Sequence, residues 1–127
     1  RLLSQAGRSS LKERALHDMM LSHHGGIAGV RDENMLESAL AKPPQLFHYG
    51  QPTMTDLGAA YATGIVKNYP FLDGNKRTGF MMGAGFLERN GLIFQATEAV
   101  LRTLALAAGE MTEAAYAEWM NTNSKRA

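Results

Sequence analysis

The sequence predicts an all-α domain of about six helices around one core, with a short hairpin-like flap. Three observations carry this. Apolar residues recur at helical three-to-four spacing along nearly the whole chain, strand-like alternation is scarce, and helix-end signals punctuate the periodic stretches. At 127 residues the chain is one domain's worth, long enough to bury a core.

Taken in order, the first helix starts at Ser10, whose spacing to Glu13 reads as a capping box. It carries Leu11, Ala15, Leu16, Met19 and Met20 on one side and stops at Gly25-Gly26. Residues 1–9 are expected to be a loosely ordered lead-in. Asp32 caps a second helix from 33 to about 42, which Pro43-Pro44 ends. The segment Q-L-F-H-Y-G-Q-P at 45–52 shows no helical face and is expected to be an exposed loop or short hairpin. Thr55 caps a third helix that runs to about Lys67. A fourth starts at about Gly74-Asn75 and reaches Asn90, with Gly91 beyond its end. Its small residues Gly79, Gly83, Ala84 and Gly85 predict close approach of a neighbour, since each glycine costs up to about 1 kcal/mol against alanine. L-I-F-Q-A at 92–96 is the one strand-like piece, short enough to be an extended connector. Thr97 and Thr112 cap two last helices separated by Gly109, and residues 121–127 are expected to fray. Trp119 is expected to anchor the core, and Met81-Met82 to fill it.

Composition narrows the function. Hydrophobic residues make up 45%, charged residues 20%, and the net charge is +1, so no global bias favours nucleic acid or an anionic membrane. Cysteine is absent, which rules out disulfides and thiolate metal sites. No apolar run approaches the roughly 18 residues of a membrane span, and no signal-peptide core is found. A cytoplasmic location is expected. His23-His24 are adjacent and so point in different directions on a helix, which argues against a shared metal. His17 reads as a packed or partly exposed helix residue.

The stretch that carries chemistry is N-Y-P-F-L-D-G-N-K-R-T-G-F at 68–80. A helix N-terminus presents unpaired N–H groups and about half a positive charge. Gly74 and Asn75 let the backbone approach a phosphate closely there. Lys76 and Arg77 add two full positive charges to a first turn where acids are preferred, a cost that a bound anion offsets. Asp73 beside them is the natural ligand for a Mg²⁺ that bridges phosphate oxygens. The spacing is not that of a Walker A loop. On these residues alone, a plain Asp-Gly turn before a basic helix start stays open as the alternative.

The segment Y-P-F-L-D-G-N-K-R resembles the Fic/Doc family motif H-x-F-x-[DE]-G-N-x-R at every fixed position but the first. A-L-H-D-M-M-L-S-H-H-G-G-I-A-G-V-R-D-E-N-M-L-E-S-A-L-A-K-P resembles the front half of death-on-curing (Doc) proteins. F-L-E-R-N-G-L-I-F and L-A-L-A-A-G-E-M-T-E-A-A-Y-A-E-W-M resemble their rear half. The likeness covers about 11–120. It implies a Fic-fold bundle that uses ATP and Mg²⁺. Phe71 would fix the loop, Asp73 position the metal, Gly74 and Asn75 form the anion hole, and Arg77 contact phosphate. Lys76 stands where adenylyltransferases of the family have a second glycine, and Phe80 where they have a second arginine. Both departures match the Doc type, which implies transfer of the γ-phosphate to a protein hydroxyl. The resemblance further implies translation elongation factor Tu as target, arrest of protein synthesis, and a Phd-like antitoxin as partner. No inhibitory [ST]-x-x-x-E-[GN] segment is present. The family's target flap falls at 45–52, with Leu46, Phe47 and Tyr49 as candidates, a core-tucked loop being the alternative there.

Tyr69 stands where the family has its catalytic histidine. A free phenol titrates near 10 and a free imidazole near 6.5, so phenols are poorly matched to general-base work near neutrality. The ring is also longer than imidazole and intrudes on the space for the attacking hydroxyl. The expectation is a chain that has lost most transferase activity. With the rest of the loop intact, an inactivating change at one position accounts for this better than a natural pseudoenzyme that has drifted. The alternatives are an adenylyltransferase, or a non-catalytic module that binds nucleotide or antitoxin.

Overall fold

The computed structural model describes residues 29–95 and 98–127. The expected first helix with its Ser10 cap, the lead-in, His17, His23, His24 and the Thr97 cap lie outside the described residues. Among those residues the chain forms five helices and one pair of short strands. They are α1 (Glu33–Tyr49), α2 (Met54–Asn68), α3 (Asn75–Arg89), β1 (Leu92–Phe94), α4 (Ala99–Ala107), α5 (Glu113–Thr122) and β2 (Ser124–Arg126). The protein is all-α in class, as its periodicity predicts.

Helix α2 is central and packs on α3, α1, α5 and α4. One core cluster gathers Leu57, Ala62, Val66, Phe86, Leu87, Leu106, Tyr116, Trp119 and Met120. A second, around Leu36, Leu40, Ile65 and Met82, includes Phe71 of the motif loop. Trp119 is buried and meets Phe94 edge-on at 5.4 Å between ring centroids. Of the methionine pair in α3, Met82 is buried and Met81 is largely exposed, so only one of them fills the core.

The glycines of α3 explain its seat on α2. A Cβ at Gly79 would lie 2.7 Å from Val66 Cγ1 and 3.0 Å from the Ala62 carbonyl oxygen. One at Gly83 would lie 2.7 Å from the Gly58 carbonyl oxygen. The two helices touch backbone to backbone there, the close approach that the glycine content predicts. Gly85 faces only the end of its own helix's Arg89 side chain.

Four boundaries differ from the sequence reading. Helix α1 runs through Pro43-Pro44 to Tyr49, so 45–49 is helix and neither loop nor hairpin-like flap. Leu36, Ala39, Leu40 and Pro43 fall at three-to-four spacing and are buried, and Leu46 packs beside the core as the next member. Continuing the helix keeps that row on one face, and packing overrides the proline signal. Helix α2 is capped by Thr53, not Thr55. Thr53 Oγ1 accepts the Asp56 N–H at 3.0 Å, and the Asp56 carboxylate accepts the Thr53 N–H at 2.9 Å. Thr55 is buried inside the first turn. The L-I-F segment is a true strand, and the tail expected to fray is its partner: Leu92 pairs with Arg126 and Phe94 with Ser124, antiparallel. Asp32 and Thr112 cap α1 and α5 as predicted, accepting from Met35 and Ala115 N–H.

Tyr116 gives the core a pH dependence. Its hydroxyl is fully buried and shares a 2.8 Å hydrogen bond with Thr103 Oγ1. Burial pushes the phenol up to about 12, with the Thr103 bond acting weakly the other way. The folded protein therefore holds this proton longer than the unfolded chain, which releases it near 10. The contribution is whole below pH 10, falls as pH rises from 10 to 12, and is spent above that. We expect a loss of roughly 2–3 kcal/mol over that window, read from urea midpoints. In Tyr116→Phe this component of the loss should be absent, and parallel curves for the two proteins would refute the assignment.

Candidate active site

The motif loop joins α2 to α3. Tyr69 caps α2 in a left-handed conformation, φ 49 and ψ 52, and its N–H donates to the Ile65 carbonyl at 3.2 Å. Pro70 and Phe71 are buried, and Phe71 forms an isolated antiparallel bridge with Val30. The strand-like residues before α1 thus brace the loop from outside. Arg31 N–H donates to the Pro70 carbonyl at 2.7 Å, and Leu72 N–H donates to the Gly29 carbonyl at 3.1 Å. The Arg31 guanidinium reaches further, with Nε donating to the Tyr69 carbonyl at 2.6 Å and a terminal nitrogen to the Asn68 carbonyl at 2.9 Å.

The turn into α3 is closed by Asn75. Its side-chain oxygen accepts the Phe71 N–H, and its amide nitrogen donates to the Phe71 carbonyl, both at 3.0 Å. The side-chain amide therefore ties the loop to the helix start instead of pointing at a ligand, a role that the family likeness does not suggest. Gly74 supports the same turn in a left-handed conformation, φ 74, which glycine adopts at no steric cost. Asp73 is exposed, and its carboxylate accepts the Gly74 N–H at 2.8 Å. We expect Asn75→Ala to cost about 1–2 kcal/mol in urea unfolding through the two lost bonds. Asn75→Asp, which keeps the acceptor alone, should fall between; an unchanged midpoint for both would exclude this bracing role.

Helix α3 begins with an electrostatic oddity. Helices α1, α2 and α5 start with a side-chain cap and an acid in the first turn. Helices α3 and α4 have neither, but only α3 adds cations: Gly74 caps it without a side-chain bond and the first turn holds Lys76 and Arg77. Lys76 is exposed and Arg77 half-buried.

Tyr69 and Lys76 line one cleft of about 470 Å³ whose far wall is α4, with Leu101, Leu104 and Ala105, and Glu110 at the rim. Asp73, Gly74, Asn75 and Arg77 do not line it. Tyr69 is 45% exposed, so its side chain stands at the surface of the site and not in the core. Leu46 lies on another cleft, of about 390 Å³, beside Pro52, Asp56 and Glu113, while Phe47 and Tyr49 are exposed on the last turn of α1. The candidate flap residues are therefore not gathered around Tyr69. Sequence reasoning missed the α4 wall and Arg31. The extra apolar residues Val100, Leu101 and Leu104, all exposed, were a visible signal for the first. Nothing in the periodicity marks the second. Among the described residues no group of three or more His, Cys, Asp or Glu is arranged to hold a metal by itself.

Comparison with known proteins agrees with this reading. A family model described as the Fic/DOC family matches residues 12–87. A protein of Escherichia phage P1 named "Protein kinase doc" is 30% identical over 106 residues, 82% of this chain and 84% of the relative. A protein of Mycolicibacterium smegmatis named "Toxin Doc" is 38% identical over 71 residues, 54% of each chain. The motif loop, the helical architecture and the extent of these matches together place this chain in the Fic/DOC family.

Proposed function

We propose that the protein is a Doc-type toxin built to transfer the γ-phosphate of ATP to a hydroxyl of a translation factor of the elongation factor Tu class. Its activity would arrest protein synthesis, a Phd-like antitoxin would restrain it, and Tyr69 impairs it as it stands. The observation that carries this reading is the start of α3, where a glycine cap and two cations replace the side-chain cap and acid that open α1, α2 and α5. Such an end is stabilised by an anion and built to receive phosphate.

The residues fit ATP with Mg²⁺. Mg²⁺ keeps most of its waters and takes one or two carboxylates plus phosphate oxygens, so it needs no protein cage. Asp73, exposed at the mouth of the loop, is the carboxylate that would hold it. When bound, the ion neutralises charge on the phosphate oxygens. Lys76 and Arg77 hold the phosphates electrostatically, and the backbone at Gly74 allows close approach. Phe80, where an adenylyltransferase would place a second arginine, packs against the core instead, its ring centroid 6.1 Å from that of Phe94. One clamp for an AMP-transferring geometry is therefore missing, and this favours phosphate over AMP. The name of one relative, a protein kinase, points the same way.

The test is to incubate Tyr69→His with γ-labelled ATP, Mg²⁺ and a bacterial translation extract, beside the unaltered chain. Label on a single extract protein, with the histidine form alone, supports a kinase disabled at one residue. Label only from α-labelled ATP would make it an adenylyltransferase. No transfer of either kind would leave a nucleotide- or antitoxin-binding module.

A further inference from the structure

The backbone of residue 69 is the least ordinary in the site. Tyr69 and Glu98 are the non-glycine residues with positive φ among those described. Tyr69 also precedes Pro70, whose ring crowds the residue before it toward extended conformations. A backbone held in such a region persists only where its surroundings over-determine it. The N–H bond to Ile65 is one restraint, and Asp32 N–H adds another by donating to the Pro70 carbonyl at 3.1 Å, but most of the grip comes from a single residue. Arg31 holds three consecutive carbonyls, those of Asn68 at 2.9 Å, Tyr69 at 2.6 Å and Pro70 at 2.7 Å. Two of these bonds leave one rigid planar guanidinium, which sets the two carbonyls relative to each other.

We propose that Arg31 is the positioning residue of this site. By gripping the carbonyls at 68–70 it fixes the left-handed backbone of residue 69, and with it the direction from which the side chain there meets the target hydroxyl. Arg31 does not act on substrate; it acts through residue 69. A plain helix-end cation would stabilise the last carbonyls of α2 in a simpler way, and a lysine serves that purpose equally well. The two-pronged grip needs arginine. Arg31→Lys therefore separates the two roles, with Arg31→Met removing both.

The catalytic half of this inference rests on the transferase reading above, and the structural half does not. Two measurements keep them apart. In the full chain, the carbon-13 Cα and Cβ shifts of residue 69 report its backbone. We expect left-handed values with Arg31, and their loss in Arg31→Lys and Arg31→Met while thermal unfolding stays cooperative. In the Tyr69→His form, Arg31→Lys should lower kcat about ten- to a hundred-fold, with KM for ATP changed less than about twofold. Left-handed shifts retained in both variants, or a lysine form matching arginine in kcat, would overturn the proposal. Should Tyr69→His transfer nothing even with Arg31 in place, the transferase reading fails, and the shifts still decide what Arg31 does.

Discussion

Replacing Tyr69 by histidine should raise the rate of phosphoryl transfer by at least about 100-fold, the lower end of what a positioned general base contributes. The exchange demands little of the fold. Tyr69 is half exposed and belongs to neither core cluster, so the ring can be shortened without opening a cavity. Its left-handed backbone suits the replacement better than the original, because histidine is several-fold enriched there among non-glycine residues. We therefore expect the stability of the two forms to agree within about 0.5 kcal/mol. A gain in rate with unchanged unfolding would locate the defect in the chemistry of one side chain. Asp73→Asn in the histidine form should return the rate to the level of the unaltered chain. Retention of full activity without that carboxylate would contradict its place in the site.

The largest effect on stability is expected where α3 lies on α2. At Gly79 and Gly83 a methyl group would meet backbone oxygens or a branched side chain at 2.7–3.0 Å, closer than the helices can accept without moving apart. Overpacking of this kind costs about 1–3 kcal/mol, against which alanine recovers up to about 1 kcal/mol of helix propensity. Gly83→Ala should destabilise by about 1–2 kcal/mol, and Gly83→Val by more, since its branches press on the Gly58 carbonyl and on Met120. The double change at 79 and 83 should cost less than the sum, because one shift of α3 relieves both contacts. Gly85→Ala supplies the opposite sign. Its methyl meets only the end of the Arg89 side chain, so stability should rise by up to about 1 kcal/mol. Urea midpoints of these variants, with Gly79→Ala alone for the sum, decide this, and a stabilising Gly83→Ala would refute the close-approach account.

How much was legible in the sequence depended on how local the signal was. Asp32, Thr112 and the glycine ends of α3 were readable because a cap is settled by its own four residues. The packing role of Gly79 and Gly83 was readable because helix interiors tolerate glycine only for a reason. The α2 cap was misread by two residues although its signal, Thr53 to Asp56, is local; the other failures were decided by packing partners farther along the chain. Pro43-Pro44 looked like a stop, and the row from Leu36 to Leu46 outweighed it. The tail looked frayed because its partner strand lies about thirty residues earlier. The site divides the same way. The residues of the motif were visible as a motif, yet Asn75 turned out to bind its own loop, which only its geometry reveals. Arg31, more than thirty residues from the carbonyls it holds, left no trace in any pattern.

The prolines in α1 have a consequence for how that helix opens. Neither Pro43 nor Pro44 has an N–H, so the carbonyls of Ala39 and Leu40 lose the donors that would tie one half of the helix to the other. The first half is pinned by its Asp32 cap and by the buried Leu36, Ala39 and Leu40. The second ends on the exposed Phe47, His48 and Tyr49. Amide exchange should accordingly see α1 as two units. Protection from 36 to 42 follows global unfolding, while 46–49 releases at a much smaller free energy. The last turn of α1, with its aromatic side chains, can come loose and refold while the helix that carries it stays in place.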